Sequence, residues 1–139
     1  GVRGLVHTGG VLVGYVLLTR ILGIMPTGAG FATCRIHPRP GDLTWARGVM
    51  PAPAGDIKVE WQQAGDMLRL QTEVPDNVHA EVVLDRDPDR QLVLGHNGVN
   101  TDLRDPAAVA SSDLVLAPDA VRIHIRGGSH TFELGGQST

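Results

Sequence analysis

The sequence predicts a mainly β protein, namely an antiparallel β-sandwich of jelly-roll type with about eight strands, preceded by one apolar helix. After Pro26, apolar and polar residues alternate in most segments, which is typical of strands buried on one side. Glycine and proline supply 18 and 9 of the 139 residues, as expected for many short strands and tight turns. Each dry strand face needs a second sheet to cover it. We therefore expect a helical segment over residues 1–26 and a sandwich over residues 27–139.

The predicted helix lies in GGVLVGYVLLTRILGI, residues 9–24, an apolar run that Pro26 ends. This run is shorter than the roughly 20 residues of a membrane span, and Arg20 lies within it. The same arginine interrupts the apolar region that an export signal would require. A helix that is apolar on nearly every side exposes a large patch unless protein covers it. We expect residues 9–24 to pack against a partner surface.

Charge and cysteine content exclude several kinds of partner and site. The 12 basic and 15 acidic residues give a net charge of −3 and form no run of one sign, so we expect neither a nucleic acid nor a membrane as partner. The single cysteine, Cys34, permits no internal disulfide and no zinc site built from cysteines. In FATCRIHP, residues 31–38, Cys34 alternates with polar neighbours, which indicates a buried thiol on a strand.

Residues 57–84 predict a meander of three strands. If QAGD at 63–66 closes a hairpin, Trp61 faces Leu68, Val59 faces Leu70 and Ile57 faces Thr72, with Glu60 beside Arg69 outside. A turn at PDN, residues 75–77, then brings Val74 opposite Val78. The large apolar residues of all three strands would share one dry face.

The C-terminal part predicts a second hairpin. Gly127-Gly128 suits a two-residue loop, and this loop would pair Ile125 with His130, Ile123 with Phe132 and Val121 with Leu134, leaving Arg122 against Glu133 outside. Residues 85–112 are polar and rich in turns, with short apolar strands at 91–94 and 113–116. That section predicts edge strands and long loops.

The two tryptophans leave a choice between a platform for a sugar ring and a core residue. Trp45 shares its predicted strand face with Leu43, and Trp61 shares its face with Val59 and Leu68. Both rows are apolar, so we expect both indoles in the core, where one partner satisfies each N–H.

No residue pattern predicts a self-contained catalytic, metal or cofactor site. The histidines show neither helical His-x-x-x-His spacing nor a Cys–His set. His79 and His124 are expected to face solvent and His130 to be partly covered. The aspartates of DRDPDR, residues 85–90, suggest a solvated loop, and PTGAG, residues 26–30, precedes a strand, the reverse of a phosphate-binding loop. The six histidines are His7, His37, His79, His96, His124 and His130. The loop serines are Ser111, Ser112 and Ser129.

Residues 18–62 resemble the end of bacterial α-L-rhamnosidases, which are glycoside hydrolases. The resemblance lies in a Leu-Gly-Ile-x-Pro…Gly-Phe…Ile-x-Pro connection, in LTWARG, in a following Pro-x-Gly-x-Ile-x-Val-x-Trp segment and, weakly, in GGSHTFEL at 127–134. The connection is matched by Leu22, Gly23, Ile24, Pro26, Gly30, Phe31, Ile36 and Pro38. The later segment is matched by Pro53, Gly55, Ile57, Val59 and Trp61.

The resemblance implies that residues 9–24 are the last helix of an (α/α)₆ catalytic barrel and that a C-terminal β-sandwich follows. The family's acid and its water-activating carboxylate would both lie upstream of the matched region. His7 stands where the family often carries an active-site histidine. The resemblance also implies a bacterial protein, which we expect to be soluble and cytoplasmic rather than secreted.

Three hypotheses for the function follow. The first is a non-catalytic accessory domain, a fragment without activity of its own, whose residues 9–24 contact the catalytic barrel of a parent enzyme or a second copy of the chain. The second is a carbohydrate-binding module that uses loops 85–106 and one tryptophan. The third is a stand-alone interaction protein.

Overall fold

The computed structural model describes residues 20–28 and 32–136. Within these residues, eleven strands and one short helix follow one another along the chain. The strands are β1 (Ile24–Pro26), β2 (Thr33–Ile36), β3 (Trp45–Ala52), β4 (Gly55–Ala64), β5 (Met67–Val74), β6 (His79–Asp85), β7 (Val93–His96), β8 (Val99–Asp102), β9 (Leu114–Ala117), β10 (Ala120–Ile125) and β11 (Gly128–Gly135). The helix α1 (Pro106–Ala110) lies between β8 and β9.

The strands form two sheets. The five-stranded sheet has the order β1-β2-β6-β10-β9, and the six-stranded sheet has the order β3-β4-β5-β11-β7-β8. The paired strands run antiparallel except β2 and β6, which run parallel. The predicted edge strand at 113–116 corresponds to β9, which is an edge. The predicted strand at 91–94 corresponds to β7, and the expectation that it is an edge is wrong, because β7 lies between β11 and β8 and the edge is β8.

One core joins the two sheets, so the predicted β-sandwich is confirmed. Its largest fully buried side chains include Trp61 and Phe132 from the six-stranded sheet and Ile24 and Ile36 from the five-stranded sheet. The Trp61 indole N–H donates to the carbonyl oxygen of Ile21 at 3.2 Å. The prediction that Trp61 is a core residue is confirmed, because its apolar body is out of water while its one donor has a partner.

Alternation along β2 also matches its prediction. Cys34 and Ile36 are buried, whereas Thr33 and Arg35 between them are exposed. Burial raises the pKa of the Cys34 thiol to about 11. Cys34 is a free, buried cysteine, which keeps its thiol protonated and inert at neutral pH.

The β4–β5 hairpin has the predicted dry face but a different register. Trp61 lies opposite Leu70 and Val59 opposite Thr72, two residues away from the expected pairs. The loop has two residues instead of four, since Ala64 pairs with Met67 and Gly65 adopts a left-handed φ of 58°. A shift of two residues preserves the side of every residue, which is why the face was right and the pairs were wrong.

The predicted meander is wrong at its second turn. Strand β5 pairs with β4 and β11, whereas β6 belongs to the other sheet and pairs with β2 and β10. The segment Pro75–Val78 therefore carries the chain across the sandwich instead of closing a hairpin, and Val74 and Val78 are not cross-strand partners.

The predicted C-terminal hairpin is wrong for the same reason. Strand β10 pairs with β6 and β9, and β11 pairs with β5 and β7. The crossing at Gly127 lies directly against the crossing at Asp76, because a Cβ on Gly127 would be 2.2 Å from the Asp76 Cα. Gly127 thus allows two chain crossings to stack at one end of the sandwich.

The prediction for β3 has the right period and the wrong face. Leu43 and Trp45 are 44% and 60% exposed, and the inward-facing residues of β3 are the small Ala46 and Gly48 followed by Met50. Ala46 lies opposite Trp61, whose ring already fills the space beside the edge strand. The expectation that Trp45 is a core residue is therefore wrong.

Most of the predicted helix over residues 9–24 lies outside the described residues. Leu22 is buried and Ile21 packs against the core, while Ile24 begins β1, so the sheet includes three residues before position 27. The amides of His37 and Arg39 donate to the carbonyl oxygens of Gly23 and Ile21. The chain therefore enters the sandwich beside Trp61.

Candidate functional site

The interior of the sandwich offers no polar site within the described residues. Thr72 is the one polar residue there that is buried, and its hydroxyl donates to the carbonyl oxygen of Lys58 at 2.8 Å. A buried hydroxyl with a partner is a structural feature. Among the described residues, the polar groups open to chemistry or recognition therefore lie on the outside of the sandwich.

The outer face of the six-stranded sheet carries the one large aromatic side chain that the described structure exposes. We call this surface the Trp45 face and define it by seven outward-pointing residues of β3, β4, β5 and β11. They are Trp45, Arg47, Glu60, Gln62, Arg69, Gln71 and Glu133.

Strand register arranges these residues in two rows across the sheet. In the first row Trp45 pairs with Gln62, Gln62 with Arg69, and Arg69 with Glu133. In the second row Arg47 pairs with Glu60 and Glu60 with Gln71. Neighbouring strands lie about 4.8 Å apart and the rows about 7 Å apart in an ordinary sheet. The surface thus places an exposed indole beside amide, guanidinium and carboxylate groups.

The seven side chains of the Trp45 face have no side-chain hydrogen bond or ion pair to any other residue of 20–28 or 32–136. This holds although Arg69 lies opposite Glu133 and Arg47 opposite Glu60. Their donors and acceptors are therefore available to a ligand or to water.

The outer face of the five-stranded sheet differs in this respect. Arg35 donates to Glu81 at 3.0 Å, and His124 lies 3.9 Å from the same carboxylate. His37 and Asp85 are joined by a hydrogen bond of 2.8 Å. These groups satisfy one another, which leaves fewer free donors on that face.

No pattern in the sequence predicts the contact between His96 and His130. The His130 Nε2–H donates to the carbonyl oxygen of Arg126 at 3.0 Å, so its Nδ1 accepts from the His96 Nε2–H at 3.0 Å. His96 also stacks on Phe132, with ring centroids 4.3 Å apart. Burial is the largest cause that lowers the pKa of His96. The charge of His130 lowers this pKa further, and the charge of Asp113 raises it. The two rings lie at the rim of the core beside Phe132.

The other histidines are placed as follows. His79 and His124 are exposed and His130 is half-buried, as predicted. His37 is held by Asp85. His7 lies outside the described residues.

The aspartate loop and the loop serines have local structural roles. Asp87 accepts from the amide of Asp89, and Arg90 lies within 4 Å of Asp66 and Asp87. Ser111 and Ser112 donate to carbonyl oxygens of α1. Ser129 is exposed on β11. In the PTGAG segment, the Thr27 hydroxyl donates a hydrogen bond to the Thr33 hydroxyl at 3.0 Å. Residues 29–31 lie outside the described residues. The structure does not bring these groups together into a site.

A polar groove of about 580 Å³ lies at one end of the six-stranded sheet. Its lining includes Asp56, Lys58, Glu73, Asn77 and Ser129, and the Lys58 ammonium is 3.9 Å from Glu73. The groove is wide open and holds no aromatic ring.

The described residues hold neither a metal-binding cluster nor a membrane-spanning helix. Across 20–28 and 32–136, no three His, Cys, Asp or Glu side chains are grouped so as to hold a metal ion. No helix in that part of the chain combines the length and the apolar character needed to cross a bilayer.

Comparison with protein families matches residues 23–99 to a family described as the bacterial alpha-L-rhamnosidase C-terminal domain. This match covers more than half of the chain. An alpha-L-rhamnosidase of Streptomyces avermitilis is 39% identical over 80 residues, which is 56% of this chain and 8% of that protein. An alpha-L-rhamnosidase of Formosa agariphila is 31% identical over 96 residues, 66% of this chain and 10% of that protein.

Solved structures of alpha-L-rhamnosidases contain a region with the same fold as this chain. The alpha-L-rhamnosidase of Dictyoglumus thermophilum matches with a TM-score of 0.76 at 20% identity, covering 91% of this chain and 13% of that one, a likeness of fold. The Streptomyces avermitilis alpha-L-rhamnosidase complexed with L-rhamnose matches with a TM-score of 0.67 at 29% identity, covering 87% of this chain and 10% of that one. The chain thus spans about a tenth of the length of the relatives it matches.

Proposed function

The chain belongs to the bacterial alpha-L-rhamnosidase C-terminal domain family, and from that premise we propose that it is a non-catalytic accessory domain of an α-L-rhamnosidase-like glycoside hydrolase. Its role is structural support of a catalytic barrel in a longer protein. The observation that carries this proposal is the filled apolar interior, in which Trp61 and Phe132 are fully buried and no described carboxyl group is.

The placement of the carboxylates supports a role without catalysis. Glycoside hydrolysis uses two carboxyl groups roughly 5–9.5 Å apart on either side of the scissile bond. On the Trp45 face, Glu60 and Glu133 lie two strands and one row apart on the outer surface of the sheet instead of on two sides of a cleft. Glu133 is exposed and Glu60 is half-buried, so neither carboxyl group is enclosed. This arrangement supports contact with a ligand better than cleavage of one.

The length of the match supports membership of a larger enzyme. The chain covers 8% of the Streptomyces avermitilis relative and 10% of the Formosa agariphila relative. The remaining nine-tenths of such a protein has room for a catalytic barrel and further domains. In this proposal, residues 9–24 contact that barrel, since Ile21 and Leu22 already pack at the edge of the sandwich core.

An activity assay tests the proposal directly. The chain, incubated with an aryl α-L-rhamnoside beside the Streptomyces avermitilis enzyme as positive control, is expected to release no more aryl alcohol than buffer does. Turnover that copurifies with the folded chain and exceeds buffer would contradict the accessory role.

The coding DNA supplies a second test. We expect the open reading frame to continue upstream of Gly1 through a catalytic barrel. A stop codon just upstream of Gly1, followed by a start codon for this chain, would instead favour a self-contained protein. In such a protein, residues 9–24 would join two copies of the chain.

A further inference from the structure

The geometry of the Trp45 face points to a second role, and we propose that this surface binds the pyranose rings of a neutral oligosaccharide. Trp45 is 60% exposed on the outer side of an edge strand, where its ring is accessible. An aromatic ring in water offers an apolar surface to the C–H face of a sugar ring, while the indole N–H can still bond a hydroxyl.

The groups beside Trp45 suit sugar hydroxyls. In the first row the Gln62 amide and the Arg69 guanidinium follow Trp45 in direct register, and Glu133 closes the row. Amide, guanidinium and carboxylate groups form paired hydrogen bonds, and the described structure leaves all three without a partner. Trp45 and Arg69 are about 10 Å apart across two strand spacings, a span comparable with two linked sugar rings.

The charge of the surface favours a neutral ligand. Two arginines, Arg47 and Arg69, are balanced by Glu60 and Glu133 on the same two rows. A bound anion would gain from the arginines and lose a similar amount to the glutamates. The balance therefore selects for hydroxyl groups over phosphate, sulfate or carboxylate.

The same composition disfavours a protein partner. The core of a protein interface is depleted of charged residues. Beside the charged groups of the Trp45 face, by contrast, exposed apolar side chains are few: Leu43 adjoins Trp45, and Arg47 separates Trp45 from Val49 along β3. Burying the whole Trp45 face under protein would desolvate its four charged groups, which have no described partner.

Nuclear magnetic resonance of the whole chain tests the proposal. The two indole N–H signals are assigned by their loss in W45F and W61F. On titration with methyl α-L-rhamnoside and with neutral oligosaccharides, we expect a saturable shift of the Trp45 indole signal and of the Gln62 and Arg69 side-chain signals for at least one sugar, with the Trp61 indole unmoved. Affinities near millimolar are expected for a single open platform.

Variants decide which residues carry the binding. W45A should weaken binding at least about tenfold, as loss of a central aromatic does, whereas W45Y, which keeps a flat ring, should retain part of it. Q62A and R69A should each weaken binding severalfold. The matched control V115A, an exposed apolar residue on the outer face of the five-stranded sheet, should leave binding unchanged.

Three results would overturn the proposal: no saturable shift with any sugar of the panel at concentrations of about 50 mM, far above typical weak affinities; equal binding by W45A; or shifts centred on the loops 85–106. Concentration-dependent broadening of the Trp45 signal without sugar, abolished by W45A, would assign the surface to self-association instead. The sugar site and the accessory role fail separately, since turnover of an aryl rhamnoside bears on the latter alone.

Discussion

Trp45 and Trp61 lie on paired strands of the same sheet, yet one is 60% exposed and the other fully buried. Strand β4 has neighbours on both sides and faces the second sheet, whereas β3 is the edge. At that edge the space under β3 is already filled by Trp61, and the small Ala46 lies opposite it. Burial of an edge residue thus depends on the volume of its neighbour across the strand pair.

The largest expected effect on stability comes from truncating the buried tryptophan, Trp61. Trp61→Ala should destabilise the fold by about 3–5 kcal/mol, because it removes a large buried side chain and leaves a cavity. Trp45→Ala should change the free energy of unfolding by no more than about 0.5 kcal/mol, as exposed positions usually do. Urea denaturation monitored by circular dichroism measures both. A larger loss in the Trp45 variant would refute the assignment of inside and outside.

A smaller effect tests the same contrast on β5. Thr72→Val removes the hydroxyl that bonds the Lys58 carbonyl and should cost about 1 kcal/mol. The adjacent Gln71→Ala changes an exposed side chain on the Trp45 face and should be nearly neutral. The same unfolding experiment compares them, and equal losses would show that β5 does not separate a dry face from a wet one.

The weakest effect concerns the rim of the core at His96. Its pKa in the folded chain lies below the ordinary value of 6.5. As pH falls through 6.5, the unfolded chain therefore takes up a proton at His96 before the folded chain does, and stability decreases. Well above that pH, the contribution of His96 to the free energy of unfolding no longer changes with pH.

Unfolding free energies at pH 7.5 and pH 5 measure this dependence. His96→Gln, which keeps a donor toward His130, should make the decrease smaller, while the exposed control Gln71→Ala, which removes no titratable group, should leave it unchanged. A His96→Gln variant with the full decrease would show that His96 does not titrate differently on folding.

Local patterns predicted the sheets better than their connections. Alternation gave the buried sides of β2, β4 and β5, because a two-residue period follows from strand geometry alone. It missed the face of β3, since Leu43 and Trp45 form the bulkier row and only the volume of Trp61 explains why that row points outward.

The two crossings between the sheets could not be derived from turn residues. Pro75–Val78 and Gly127–Gly128 suit hairpins locally, but each joins strands of different sheets. A signal was present in β6, where Val82, Val83 and Leu84 are buried in succession and break the one-sided alternation that a meander strand would show.

The candidate site was the least predictable part. The sequence predicts Trp45 in the core, and of the polar groups of the Trp45 face it predicts Glu60, Arg69 and Glu133 only as outer strand residues. The contact of His96 with His130 joins residues 34 positions apart through the β7–β11 pairing. Such contacts depend on the order of strands in the sheet, which local sequence does not contain.

Fluorescence quenching of single-tryptophan variants tests the contrast between the two tryptophans most directly. With acrylamide as quencher, the W45F protein, which retains Trp61, should emit in the blue and resist quenching, whereas the W61F protein, which retains Trp45, should emit near the wavelength of free tryptophan and be strongly quenched. Equal quenching of the two folded variants, or a protected Trp45, would contradict the account of a closed core and an exposed aromatic platform.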